Sequence, residues 1–358
     1  MPADSFASSL ETSPAEVQPA VLQEINLAAL RNGSDLELQK LSQVAFNDGF
    51  FYLDLKHPET QVLLEQVECT FRLAKLMFGH DTVVKHLFDI DKISSLKTNG
   101  YKPKGRHVVN KEGARDGHES WTLPRNGILN LGEDPFPHIP VVAEGRNALR
   151  VLLELLDDVA QTIFRSLSNI LSLAPEHRLE AFHRTDKPST SMLRLIKYEA
   201  NARGAPHTPI IPHTDLGSLT FLFSPTPGLQ VLPATASAAS PREEDWMHIT
   251  PKPGYAVVNF GDCLSMMTNG AFKSAVHRVG PLPGAGMPER YSIGYFVRPN
   301  DDTVLQPLAS PLISSSGHCM ENVTCAEWIV KKYKILRADD RTRQDDDQVI
   351  IGGWKAFA

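Results

Sequence analysis

"IIPHTDLGSLTFLF", residues 210–223, sets two potential metal ligands, His213 and Asp215, at the head of an apolar run. A buried carboxylate is tolerable only when it is paired, hydrogen-bonded or bound to a metal. On an extended strand, positions i and i+2 point to the same face. Both side chains are therefore expected to reach one ion. A lone His-x-Asp pair carries little weight in a chain with 13 histidines, so the reading turns on a third ligand. His277, in "TNGAFKSAVHRV" (268–279), offers it at the end of another β-like segment.

Two imidazoles and one carboxylate on one face make the facial triad of non-haem Fe(II) oxygenases. Such a triad leaves three octahedral positions open, whereas a structural zinc site uses four protein ligands. Downstream, "ERYSIGYF" (289–296) places Arg290 and Ser292 two apart, on one face. A guanidinium fork beside a hydroxyl is a good receptor for a buried carboxylate. By itself Arg290 reads better as half of a structural salt bridge. Thirteen residues after a metal-type histidine, the carboxylate receptor becomes the preferred reading.

Composition narrows the partners. The 358 residues are 42% hydrophobic and 22% charged, with a formal net charge of −6, as expected of a globular protein. That balance gives no general attraction to phosphate backbones or anionic lipid, so neither nucleic acid nor membrane is expected. Cys69, Cys263, Cys319 and Cys325 form no CxxC pair and read as reduced thiols. The N-terminus lacks a basic-then-apolar leader, and no window reaches the roughly 20 apolar residues of a membrane span. A cytoplasmic protein acting on a small molecule is the expectation; oligomeric state is not legible.

Residues 1–20 read as a flexible lead-in. Helical spacing predicts helices over 35–49, 57–79, 147–173 and 324–338, with a strand at 50–55. The stripe Leu149, Leu152, Leu153, Leu156, Ala160, Ile163, Phe164 and Leu167 is core packing. Residues 97–140 read as loop. From about 190 onward, short β-rich runs separated by Gly/Pro turns suggest a sandwich or barrel. "PATASAASPREED" (233–245) reads as a long hairpin loop on the surface.

The runs "HTDLGSLTFLF", "GLQV", "PGYAVVNFGDCLSMMTNGAFKSAVHRV" and "RYSIGYF", within about 210–298, closely resemble the isopenicillin N synthase-like branch of the Fe(II)/2-oxoglutarate-dependent dioxygenases. "INLAAL" (25–30) and "AFNDGFFYL" (45–53) resemble it more weakly. The resemblance implies an α+β fold: a double-stranded β-helix (jelly roll, cupin-type) core with flanking helices and an N-terminal α/β module. The implied organisation is 1–20 flexible, 21–130 N-terminal module, and 131–358 helix plus jelly roll with a C-terminal helix.

By the same resemblance, His213, Asp215 and His277 bind Fe(II), and Arg290 and Ser292 hold the distal carboxylate of 2-oxoglutarate. Tyr198, in "RLIKYEA", matches a tyrosine that helps hold this co-substrate. The sequence departs from the family nearby, with Ile196 where an Asn is usual and "EANARGAP" after it. The implied reaction consumes O₂ and 2-oxoglutarate, and hydroxylates, desaturates or rearranges a small substrate, in fungal or bacterial specialised metabolism.

The substrate is expected between the jelly roll and residues 97–125. There Lys97, Tyr101, Lys104, Arg106 or His107 can meet an acidic or phenolic group, against the plainer reading of a solvated basic loop. Asn259, Gly261 and Asp262 read as a turn closing the barrel, Asn269-Gly270 as a hairpin turn, and His207 as an exposed loop residue. Three alternatives remain: an Fe(II) oxidase of the same fold that needs no 2-oxoglutarate, a non-catalytic jelly-roll binding protein, and a metal-dependent isomerase or hydrolase.

Overall fold

The computed structural model describes residues 18–94, 97–106, 115–131, 136–200, 210–236, 241–282, 284–315 and 323–336. Among them, twelve strands form two sheets. In chain order they are β1 (Gln23–Asn26), β2 (Phe50–Asp54), β3 (Gly100–Lys102), β4 (His118–Pro124), β5 (Met192–Tyr198) and β6 (Ile210–His213), then β7 (Leu219–Phe223), β8 (Leu229–Val231), β9 (Met247–His248), β10 (Tyr255–Phe260), β11 (His277–Val279) and β12 (Arg290–Val297). The larger sheet runs β1-β2-β10-β7-β12-β5-β4-β3 and the smaller runs β6-β11-β8-β9. The opening stretch 210–223 is thus two strands in two sheets, joined by a tight turn at 214–218. That crossing is what makes the jelly roll.

Alternation along the larger sheet divides its two faces. Leu193, Leu195, Ile293 and Tyr295 point out, into a core shared with the helices. Ile196 and Tyr198 point in, toward Leu229, Val231 and Val279 of the smaller sheet. The helix Pro140–Ile170 covers the outer face with its expected stripe, Leu149 through Leu167, fully buried. Each such side chain contributes about 1.5–3 kcal/mol by leaving water. Proline at its first turn starts this helix seven residues earlier than its periodicity suggests.

Three sequence expectations need correction. Residues 97–140 are not a loop throughout: β3 and β4 extend the larger sheet, and Tyr101 and Trp121 join the helix-side core with Leu195 as a buried pair with ring centroids 5.1 Å apart. Asn269-Gly270 is not a hairpin turn. Both residues take positive φ (50° and 79°) to end the helix Asp262–Met267, with Gly270 N–H donating to Ser265 O at 2.7 Å. The segment read as a helix over 35–49 changes pitch, with an α-helix at Asp35–Gln43 and a wider π turn at Val44–Asp48, closed by Gly49 at φ 74°.

His183 braces the 214–218 turn from behind. Its Nδ1 lies 2.7 Å from the Leu179 carbonyl, which only accepts, so Nδ1 carries the hydrogen. Nε2 therefore accepts from the Ser218 hydroxyl at 2.7 Å, and the ring stacks on Phe164 with centroids 3.9 Å apart. Burial pushes its pKa down to about 4 from an ordinary 6.5. Its contribution to stability is complete above pH 6.5 and is lost as pH falls toward 4, because the unfolded chain takes up the proton first. The loss is about 1.4 kcal/mol per pH unit. Urea unfolding between pH 7 and 4 should therefore show a shallower pH dependence in His183→Gln than in wild type; equal slopes would refute this role.

Candidate metal centre and carboxylate pocket

His213 and His277 meet because β6 and β11 are antiparallel neighbours and these two residues sit directly opposite in the register. Their ring centroids are 4.3 Å apart. Asp215 lies just past the end of β6, in the turn, and not on the strand as its spacing suggested. Its backbone is fixed by the Asp262 N–H, which donates to Asp215 O at 2.7 Å. Close approach explains the glycine before Asp262: a Cβ at Gly261 would lie 2.3 Å from Gly217 O and 2.8 Å from Asp215 O.

The result is a cluster of His213, Asp215 and His277 whose ligand atoms all lie within 4.8 Å of one another. Asp215 Oδ1 stands 3.9 Å from Nε2 of each histidine. Adjacent donors on one octahedral ion sit about 3 Å apart for bonds of about 2.1 Å, so side-chain movements of about 1–2 Å would bring these three donors onto one ion. His277 Nδ1 lies 3.2 Å from the Ala275 carbonyl, to which it can only donate. That fixes the tautomer and leaves the Nε2 lone pair for an ion.

The other carboxylate oxygen is occupied. Asp215 Oδ2 accepts from the Thr220 hydroxyl at 2.7 Å and the Asn259 amide at 2.8 Å. Burial acts to raise the Asp215 pKa, but the two imidazoles and these two hydrogen bonds hold it below the ordinary carboxylate range. Asn259 is thus a strand residue aimed at the centre, not part of a turn. We expect Asn259→Ala and Thr220→Val each to weaken metal binding about 10- to 100-fold, as read by anaerobic titration. Unchanged affinity in both would remove this role.

Arg290 and Ser292 lie on the same inward face, with Arg290 Nη1 donating to Ser292 Oγ at 3.2 Å. Arg290 is 1% exposed, and its Nε has no partner among the described residues. Its guanidinium lies 5.3 Å from the Tyr198 ring centroid, in the register position opposite Tyr198. Burial lowers the Arg290 pKa. Burial also raises that of Tyr198, whose hydroxyl has no partner among the described residues. An uncompensated buried cation beside two free donors fits a carboxylate group well.

The residues expected to receive substrate are engaged elsewhere. Lys97 pairs with Asp91 at 2.8 Å. Arg106 bonds Asp91 and lies 3.8 Å from Asp89, while Lys104 pairs with Glu199. Tyr101 is buried and donates to Glu119 at 2.7 Å. His107 and His207 lie outside the described residues.

Three comparisons bear on this geometry. The sequence model of the 2OG-Fe(II) oxygenase superfamily matches residues 189–299, which hold all six candidate site residues. The 2-oxoglutarate-dependent dioxygenase ecdG of Aspergillus rugulosus is 30% identical over 94% of this chain and 98% of its own length. The 2-oxoglutarate-dependent dioxygenase frbH of Dothideomycetidae sp. is 30% identical over 95% of this chain and 97% of its own. A full-length Neurospora crassa protein, solved with alpha-KG and thymine, shares the fold at a TM-score of 0.71 and 21% identity, covering 91% of this chain and 99% of that one. A jelly roll with two histidines and a carboxylate at one end, matched along nearly its whole length by such relatives, places this chain in the 2OG-Fe(II) oxygenase superfamily, the oxidoreductases that use Fe(II), 2-oxoglutarate and O₂.

Proposed function

We propose that His213, Asp215 and His277 hold the Fe(II), that Arg290 and Ser292 receive the distal carboxylate of 2-oxoglutarate with Tyr198 beside them, and that the substrate is a small organic molecule of specialised metabolism. The observation that carries this reading is the pairing of a three-ligand cluster on the smaller sheet and its adjoining turn with a buried, uncompensated arginine on the inward face of the larger sheet. Bound iron and 2-oxoglutarate supply the O₂-dependent oxidation, the co-substrate leaving as succinate and CO₂. The protein positions and excludes. Thr220 and Asn259 turn Oδ1 of Asp215 toward the ion. Arg290 sets how far the co-substrate enters. Phe50, edge-on to His277 at 5.3 Å between centroids, helps keep water from the histidine side.

The fungal 2-oxoglutarate-dependent dioxygenases among the relatives support the activity class, and a specialised-metabolite substrate is the reading proposed within it. No helix among the described residues is long and apolar enough to cross a membrane. The domain division at about 130 stays part of this proposal, with β3 and β4 of the N-terminal part hydrogen-bonded into the larger sheet.

The test is succinate release by the Fe(II)-loaded protein with 2-oxoglutarate and O₂. Release that requires both is expected, even at the slow uncoupled rate without organic substrate. O₂ consumption independent of 2-oxoglutarate would favour the oxidase of the same fold instead.

A further inference from the structure

Four Lys or Arg side chains stand on β3, β4, β5 and β12: Lys102, Arg194, Lys197 and Arg290. Two are neutralised, Lys102 by Asp116 at 2.7 Å and Lys197 by Glu119 at 3.5 Å. Arg290 is the proposed co-substrate receptor. Arg194 is left, and it has no carboxylate partner among the described residues. Its polar contacts are long and neutral: Nε donates to Thr122 Oγ1 at 3.4 Å, and Nη2 lies 3.9 Å from Met192 Sδ.

Arg194 shares the inward face with Ile196 and Tyr198, by parity on β5. It sits opposite Gly294 of β12 and Thr122 of β4. Gly294 has no side chain because Phe296 folds over it; a Cβ there would meet the Phe296 ring at 2.9 Å. The Arg194 guanidinium lies over that ring, 5.3 Å from its centroid. Phe296 in turn is the register partner of Thr220, which bonds Asp215. The guanidinium therefore leans toward the metal end, away from Arg290. Their backbone rows are four residues apart, about 13 Å along the strand, so one five-carbon diacid cannot serve both.

We propose that Arg194 is the anchor for the organic substrate, and that this substrate carries a carboxylate. The inference rests on the reading of Arg290 as the 2-oxoglutarate receptor. A partly buried, aromatic-backed guanidinium with no counterion offers a two-pronged donor to a planar anion. Its place beside the metal end holds the remainder of such a molecule close to the oxidising centre.

The test is calorimetric titration of the full chain, loaded with Mn(II) and 2-oxoglutarate without O₂. The probes are benzoate, 3-phenylpropanoate and hexanoate, each compared with its methyl ester. At least one acid is expected to bind, at least tenfold more tightly than its ester. Arg194→Gln should weaken that binding tenfold or more, and Arg194→Lys, which keeps charge but loses the planar fork, should weaken it also. The 2-oxoglutarate Kd should change less than twofold in both, and melting temperatures should confirm that at least one variant is folded. The proposal is overturned if no acid binds, if acid binding survives both substitutions, or if 2-oxoglutarate affinity falls with acid affinity. An Arg290→Lys variant with undiminished 2-oxoglutarate binding would instead sink the underlying reading of that pocket.

Discussion

Asp215→Asn should reduce 2-oxoglutarate-dependent turnover by more than about 1000-fold, equivalent to about 4 kcal/mol of barrier, while leaving the barrel folded. The carboxylate has two different sides. Oδ2 accepts from Thr220 and Asn259, and Oδ1 faces both histidines. An asparagine satisfies the two donors with its oxygen. It then turns its NH₂, which has no lone pair to give, toward the ion. Alanine is the poorer test, since it strands two buried donors at about 1–3 kcal/mol each and confounds folding with chemistry. Succinate release measures the first effect and thermal melting the second. Turnover within tenfold of wild type would remove Asp215 from the centre.

Arg290→Met should raise the KM for 2-oxoglutarate at least tenfold, and up to about 150-fold if the lost charged hydrogen bonds are worth 1.5–3 kcal/mol. It should do so without destabilising the empty protein. Arg290 is buried with an unpartnered Nε, so without a bound anion it costs desolvation energy that methionine does not. Wild type should gain melting temperature on addition of 2-oxoglutarate, as any ligand specific to the folded state dictates, and the variant should gain much less. An unchanged KM would favour the oxidase reading, in which this arginine serves another acid.

The metal cluster was legible because its logic is local and periodic. His213 and Asp215 share a short motif, and His277 stood out as a histidine at the end of another β-like segment, though no spacing rule could pair 213 with 277. The strands at 219–223 and 255–260 matched their sequence runs because alternation and flanking turns agree there. What failed were inferences about charge. Arg106, Lys97 and Lys104 looked available because their acids, Asp89, Asp91 and Glu199, lie on other elements whose proximity only the fold creates. Asn259 looked like a turn residue because its partner depends on the register that sets it opposite Thr220. Arg194 could have been noticed: in "RLIKY" it has the same parity as Tyr198, so any inward face that holds the tyrosine holds the arginine. Its lack of a carboxylate could not be read from sequence, since no motif marks an unpaired charge.

The central claim is that three side chains from two strands and one turn form a single open iron site. Anaerobic Fe(II) titration of the metal-free protein tests it directly, with wild type, Asp215→Asn and His277→Ala compared at one pH. One Fe(II) per chain is expected in wild type, with affinity reduced at least 100-fold in both variants. Wild-type affinity in either variant, or no stoichiometric binding in the parent, would contradict it.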